Sequence, residues 1–337
     1  MYKTLSSWRG LLVVVIVLYH TPILELCEAA HMGVSLCFVM SGALLAMRHP
    51  RAECSWWQWI WPRARRIYLI HWLVLALLLI MQWPMGDCVT DWTLPANALL
   101  LQAWVPVRDS YLSFNKPTWF LCALLLCYAC YPLLSRLMSS LSLKCKWMIA
   151  VSILVAHCVV LGVVSQHIRD WLVDMPLTRL GEFVWGMVVG ASLPSLDKRL
   201  GEWLRARAHA VEAAVVAFVL AVIIAVGRMP WLDCCEDIAV WWLPVSCIVA
   251  MSVLLNGSEG LVGRLMLTWP MRWLGSINLE VYLLALPVTY FYSHYLAAVA
   301  GHFGHPEFYG ISWPITLPLI LITASIFHCL TKKIQKR

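Results

Sequence analysis

Long apolar blocks separated by short polar stretches run along almost the whole chain of 337 residues. A helix needs about 20 mostly apolar residues to cross the hydrocarbon core of a bilayer, within a range of about 17 to 25. Ten stretches fit this requirement: residues 10–26, 32–47, 67–83, 118–138, 147–164, 177–194, 209–227, 238–255, 276–298 and 311–330. The pattern predicts an all-α fold, a polytopic membrane bundle of about ten transmembrane helices.

A further apolar run at residues 97–107 is too short to cross and contains Pro106. A re-entrant or interfacial helix is therefore expected there. The chain has no polar linker, no low-complexity segment and no obvious internal repeat, and none of its loops is long enough to fold separately. A single membrane domain over residues 1–337 is predicted.

Composition supports this class, because 61% of the residues are hydrophobic and only 13% are charged, against about 25% in soluble domains. The net charge of +7 follows from topology and does not require a nucleic-acid partner. With the N-terminus inside, most Lys and Arg fall in cytoplasmic loops, as the positive-inside rule requires. Both termini are therefore predicted to be cytoplasmic, and the first apolar run, which lacks a small-residue cleavage site, is predicted to be a retained helix.

Arg9 and His20 stand out because titratable groups within a span are costly and often functional. They are 11 residues apart, which on a helix is a rise of about 16 Å and about 20° more than three full turns. Both would share one face, with Arg9 at the inner mouth and His20 deeper. This stripe could hold an anion and a proton acceptor. The alternative is a topogenic arginine and a histidine hydrogen-bonded between helices.

Arg63 and Arg66 lie at i and i+3 at the start of the third predicted span. This spacing places two guanidinium forks on one helix face near its N-terminus, where phosphate binding is favoured. Plain positive-inside anchoring explains the same pair. The glycines and serines of residues 33–42 are interpreted as a surface for close helix packing.

Taken together these segments resemble the acyltransferase 3 family. Trp8-Arg9-Gly10 through Tyr19-His20 resembles its R-x10-H signature, residues 33–42 are similar to its G-V-D-L-F-F-V-L-S-G segment, and residues 63–68 resemble its R-x-x-R-I-Y motif. Further similar segments follow in family order at residues 99–104, 117–121, 131–134, 179–186 and 273–277. The resemblance covers nearly the whole chain.

The resemblance implies transfer of an acyl group, usually acetyl, from cytoplasmic acyl-CoA to a hydroxyl of an extracytoplasmic sugar. It implies acetyl-CoA as the donor, a polysaccharide or lipid-linked sugar as the acceptor, a lipid environment, and the bacterial inner membrane. In this context His20 is expected to act as general base, while Arg9, Arg63 and Arg66 hold the CoA phosphates. Whether His20 only deprotonates the acceptor or also carries the acyl group stays open.

The chain is expected to be a stand-alone form, since no SGNH-type hydrolase-like domain follows the bundle before Arg337. It departs from the family at three positions. Ser35 stands where the family often has Asp, Cys37 where it often has Phe, and Ala285 where many members have His. A second histidine role at position 285 is therefore not expected.

Five further residues are weaker candidates for substrate binding. Glu25, Glu28 and His31 are placed in the first outer loop, where a solvated loop is the plainer interpretation. Trp119 could stack on a sugar ring, although tryptophan is also typical of bilayer interfaces. Glu182, near Arg179, could line a site or form an interhelical ion pair or hydrogen bond. No ligand pattern completes a zinc site, so no metal is expected.

Two other functions remain open. A transporter or a flippase for a lipid-linked sugar would also use buried titratable residues and proline-interrupted spans, although the inverted repeat typical of many transporters is missing. A non-catalytic membrane partner in a polysaccharide assembly complex is the third possibility.

Overall fold

The computed structural model describes residues 3–19, 29–82, 91–228, 239–255, 260–292, 295 and 313–335. Within these ranges the chain forms helices and turns and no strand, so the all-α prediction is confirmed for them. His20, Glu25 and Glu28 lie outside the described residues.

The described residues contain fifteen α-helices, labelled in chain order. The longer ones are α1 (Lys3–Tyr19), α2 (Ala29–Arg48), α3 (Trp56–Gln82), α6 (Trp119–Ser139), α7 (Leu143–Val163), α9 (Pro176–Ala206), α10 (Ala208–Val226), α11 (Trp242–Leu254), α14 (Asn278–Phe291) and α15 (Trp313–Gln335). The short ones are α4 (Thr93–Ala98), α5 (Arg108–Tyr111), α8 (Gln166–Asp174), α12 (Leu261–Met266) and α13 (Trp269–Ser276). Single 3-10 turns cover Gln102–Trp104, Lys116–Thr118 and Ala239–Trp241.

Each of the ten predicted spans overlaps one of the longer helices or the α13–α14 pair. By length and hydropathy, six segments of the described chain are candidate membrane spans, and the α13–α14 pair, bent by 69°, is a seventh if counted as one. The six are His31–Arg48, Trp56–Gln82, Lys116–Ser139, Leu143–Val163, Ala208–Val226 and Pro314–Lys333. A multi-pass membrane protein is thus supported, while the count of ten and the cytoplasmic termini stay predictions.

Helix α2 packs directly on α9, and glycines allow the close approach. A Cβ on Gly42 would overlap the carbonyl oxygen of Phe183, and a Cβ on Gly186 would overlap that of Val39. The small residues at this contact therefore bring the two backbones together, as in other membrane helix pairs. The prediction of a packing role for residues 33–42 is consistent with this contact.

The apolar run at 97–107 forms short helices and turns, as expected for a segment that does not cross. Helix α3 holds its first part through three hydrogen bonds to backbone carbonyls. Tyr68 Oη donates to Leu99 at 2.9 Å, His71 Nε2 bonds Asn97 at 2.8 Å, and Trp72 Nε1 donates to Ala98 at 2.8 Å. The segment is therefore fixed along the middle of α3.

We expect Gly186→Ala to destabilise the protein by about 1–3 kcal/mol, because its new methyl group must push α2 away from α9. Gly162→Ala is the matched control, since a Cβ there meets nothing within 4 Å and alanine is favoured over glycine in helices. Thermal unfolding in detergent measures both. Equal melting temperatures for the two variants would contradict the close contact.

Candidate functional site

A cavity of about 440 Å³ lies between α1, α2, α3, α6 and the α13–α14 pair. This volume falls in the range of about 300–1,000 Å³ usual for small-molecule sites. Its lining is Arg9, Val13, Ile16, Val34, Cys37, Ser41, Leu45, Pro62, Arg63, Arg66, Ile67, Phe120, Leu124, Tyr128, Ser276, Asn278, Leu279 and Tyr282. The cavity therefore brings together the three arginines that the sequence singled out from two separate helices.

Arg9 is half-buried on α1 and is oriented by α2. Its Nη2 donates to Ser41 Oγ at 2.9 Å, and that hydroxyl donates in turn to the carbonyl of Cys37 at 2.6 Å. The Nε of Arg9 is buried and has no hydrogen-bond partner within the described chain. Since a guanidinium has five N–H donors and no acceptor, Arg9 keeps donors that an anion in the cavity can use.

Arg63 is held by aromatic rings and a backbone carbonyl. Its Cζ lies 3.6 Å from the ring centroid of Trp59 and 5.9 Å from that of Tyr128. Its Nη1 donates to the Trp59 carbonyl at 2.6 Å. Arg66, one turn further along α3, lines the same cavity and is exposed. The predicted common face of Arg63 and Arg66 is therefore present.

The cavity wall carries three cationic side chains and, among its described lining residues, no acidic one. The ion pairs found in the described part of the chain involve other residues. Cations at the edge of an apolar region are costly unless they are paired. The electrostatics of this wall therefore favour a bound anion.

One stripe of α1 forms a side of the cavity. Arg9, Val13 and Ile16 line it at i, i+4 and i+7, which is the spacing of a single helix face. His20 is the next position of this series at i+11 in the sequence. The stripe predicted from the Arg9 and His20 spacing is thus present as far as Ile16.

His31 lies within α2, which begins at Ala29, so its expected loop position is wrong: the helix starts earlier than the hydropathy indicated. Trp119 is the first residue of α6, and its ring centroid lies 5.2 Å from the Cζ of Arg179. Neither residue is part of the cavity lining.

Glu182 is fully buried and is placed apart from the cavity lining. Its Oε1 accepts from Arg179 Nη1 at 2.9 Å, from Ser35 Oγ of α2 at 2.8 Å, and from Trp242 Nε1 of α11 at 3.3 Å. The ion pair itself is within α9, and the neutral donors come from the neighbouring helices. Glu182 thus ties three helices together.

Several lining residues were not found from the sequence. Ser41 was read only as a packing residue, and Tyr128, Asn278 and Tyr282 were not singled out. A usable signal existed for α6, because Phe120, Leu124 and Tyr128 recur every fourth residue and share one face. The wall from α13 and α14 comes from a distant part of the chain and had no comparable signal.

Comparison with known proteins decides the family. A family model described as an acyltransferase domain matches residues 3–331. The chain belongs to the acyltransferase 3 family. The match covers nearly the whole chain.

The chain is similar to the acyltransferase MdmB of Streptomyces mycarofaciens, with 26% identity over 201 residues. The match covers 54% of this chain and 50% of the relative, so it spans half the length of that curated protein. No solved structure matches this member of the acyltransferase 3 family.

Replacing Glu182 by leucine should destabilise this acyltransferase-family protein by roughly 3–5 kcal/mol, because Arg179 would remain buried without its charge partner. The double variant Arg179→Met with Glu182→Leu should recover part of the loss. Thermal unfolding of the two single variants and the double variant measures the coupling. A double variant whose loss equals the sum of the two single losses would show that the pair is not coupled.

Proposed function

We propose that this protein is an integral membrane O-acyltransferase that moves an acyl group, in the first place acetyl, from coenzyme A to a hydroxyl of a sugar. The acceptor is an extracytoplasmic or lipid-linked saccharide, and the enzyme works in the inner membrane of a bacterium. The observation that carries the proposal is the cavity wall with Arg9, Arg63 and Arg66 and no acidic lining residue. Family membership supports the reaction type.

The arginines bind the phosphates of the donor. Arginine forks match phosphate oxygens in pairs and form short charge-assisted hydrogen bonds. The ring of Trp59 and the hydroxyl of Ser41 fix two of the forks before the donor arrives. This preorganisation lowers the entropic cost of binding.

The rest of the cavity suits the thin, mostly apolar arm of coenzyme A. On α6 the lining runs from Tyr128, beside Arg63, to Phe120. Eight residues of helix correspond to a rise of about 12 Å. The thioester is therefore expected well inside the bundle while the phosphates stay at the arginines.

His20 is proposed as the general base. A nitrogen of its neutral imidazole takes the proton of the acceptor hydroxyl as that oxygen bonds to the thioester carbonyl carbon. The carbon–sulfur bond then breaks, and the leaving coenzyme A thiolate takes the proton back from the imidazolium. The role of His20 depends on its helical spacing from Arg9 and on the family resemblance, since it lies outside the described residues.

The weaker substrate-binding candidates are not needed by this mechanism. Glu182 and Trp119 engage Arg179, which supports a structural role for both. Glu25, Glu28 and His31 stay predictions as acceptor contacts. The acceptor side of the reaction is therefore open to other residues.

Arg63→Ala and Arg66→Ala should each weaken the binding of coenzyme A about ten- to hundredfold, as expected for loss of a charge-assisted hydrogen bond to phosphate. Arg65→Ala is the matched control, because Arg65 is exposed on the same helix turn and is not part of the lining. Calorimetry on purified protein in nanodiscs measures the three affinities. Equal losses of coenzyme A affinity in Arg65→Ala and Arg66→Ala would contradict the proposal, because both arginines would then act only through general surface charge.

His20→Ala should abolish acyl transfer while coenzyme A affinity and melting temperature stay within error of the wild type. Transfer is followed with radiolabelled acetyl-CoA added to proteoliposomes that contain a membrane extract of the producing cell. Turnover that survives the substitution would remove the proposed base. Solute flux without label on any acceptor would instead favour the transporter or flippase.

A further inference from the structure

A second group of polar side chains lies outside the cavity lining, in the stretch between α3 and α6. Asn97, Gln102 and Asn115 are each at most 1% exposed. Each amide nitrogen donates a hydrogen bond. The three bonds are Asn97 Nδ2 to the Ser113 carbonyl at 3.0 Å, Gln102 Nε2 to Thr118 Oγ1 at 3.0 Å, and Asn115 Nδ2 to the Leu283 carbonyl at 2.9 Å. The group is therefore held in defined positions.

The partners also fix which end of each amide is the oxygen. The carbonyls bonded by Asn97 and Asn115 can only accept, so a nitrogen must face them. Thr118 Oγ1 already donates its proton to the Asn115 carbonyl at 2.7 Å, so it accepts from Gln102. The remaining atoms, Asn97 Oδ1, Gln102 Oε1 and Asn115 Oδ1, are buried acceptors to which no group of the described chain donates.

His71 adds a fourth acceptor of the same kind. Its Nε2 lies 2.8 Å from the Asn97 carbonyl, so this nitrogen carries the proton. In a neutral imidazole the Nδ1 atom is then an acceptor, and it has no donor partner within the described ranges. The side chain is 1% exposed. We call His71, Asn97, Gln102 and Asn115 the acceptor network.

The acceptor network is bonded to elements that line the cavity at the end remote from Arg63. Asn115 bonds the carbonyl of Leu283, the neighbour of the lining residue Tyr282. Thr118, which links Gln102 to Asn115, is two residues before Phe120. The ring centroids of the lining residues Phe120 and Tyr282 are 5.3 Å apart. The network is thus bonded to the helices that line the region where the thioester is expected.

Four buried acceptors that lack a donor within the described chain favour a ligand that brings several N–H or O–H groups. Buried polar atoms are nearly always hydrogen-bonded in native proteins, so each of the four needs an N–H or O–H group. A carboxylate or phosphate supplies only acceptors and would be repelled. A compound with several hydroxyl groups supplies the missing donors.

We propose that the acceptor network binds the hydroxyl groups of the acyl acceptor and positions one of them for acylation. This inference rests on the proposed function and assigns residues to its acceptor half. Binding here places a polyhydroxylated substrate outside the cavity lining, on the side of Phe120 and Tyr282, and the phosphates of the donor at the arginines. Bound water has the same hydrogen-bonding chemistry, and the experiment separates water from substrate.

The test uses Gln102→Met and Asn115→Leu, which remove the amide oxygens and keep similar volumes. Ser252→Ala is the matched control, because Ser252 Oγ is also buried without a partner in the described chain but lies on α11. Vesicles from the producing cell receive radiolabelled acetyl-CoA. The measurements are label on the endogenous acceptor, label released as acetate, coenzyme A affinity, and melting temperature.

Both network variants should lower transfer at least tenfold and raise the ratio of released acetate to acylated product. Their coenzyme A affinity should stay within twofold of the wild type, and Ser252→Ala should transfer normally. Transfer within twofold of the wild type in both network variants would overturn the proposal. A parallel fall of transfer, affinity and melting temperature would also overturn it, because it assigns the network to structural water. A wild-type protein that neither binds coenzyme A nor transfers label would refute the proposed function itself.

Discussion

The need to balance positive charge within a bundle of apolar helices is the constraint on which the site depends. Arg9 and Arg63 are half-buried, and Arg66 lies on the same wall. A guanidinium away from bulk water is costly unless an anion or a set of acceptors compensates it. Here the protein supplies a serine hydroxyl, a carbonyl and aromatic rings. These groups orient the cations without neutralising them, so the remaining attraction is directed at a ligand.

Helix α2 connects the charged wall of the cavity to the rest of the fold. Ser41 faces α1 and holds Arg9, while its neighbour Gly42 lies against α9. Ser35 of the same helix donates to Glu182, whose charge is balanced by Arg179. A displacement of α2 on α9 would therefore move Ser41 and reorient Arg9. The glycine contact and the buried ion pair, although outside the cavity, set the geometry of its charged wall.

Sequence reasoning reached the parts of the site that depend on local helix geometry. The spacing of Arg63 and Arg66 is a property of one helix, and so is the stripe that starts at Arg9. Both could be derived from 3.6 residues per turn. The aromatic support of Arg63 by Tyr128 depends on how α3 meets α6, which no local pattern specifies.

In the stretch between α3 and α6, even less of the structure could be predicted from local sequence patterns. Hydropathy predicted that residues 97–107 would not cross the bilayer. It could not show that two residues of this stretch, Leu100 and Phe114, adopt positive φ values of 56°. Such conformations are uncommon for residues other than glycine and depend on tertiary contacts. The buried amides of this stretch were not singled out from the sequence. Their orientation, and therefore which atoms remain free to accept, follows only from the hydrogen bonds that they make in the folded chain.

The arginine wall of the cavity and the acceptor network outside its lining differ in hydrogen-bonding character, and this difference gives the proposed reaction a direction. Arginine side chains can only donate, so the end with Arg9 and Arg63 selects a ligand rich in acceptors, as phosphates are. The proposed role of the acceptor network is to select a ligand rich in donors, as sugars are. A donor substrate and an acceptor substrate would each be disfavoured at the end suited to the other. Exchanging their positions would leave buried groups unsatisfied on both sides, which is how polar sites discriminate most strongly.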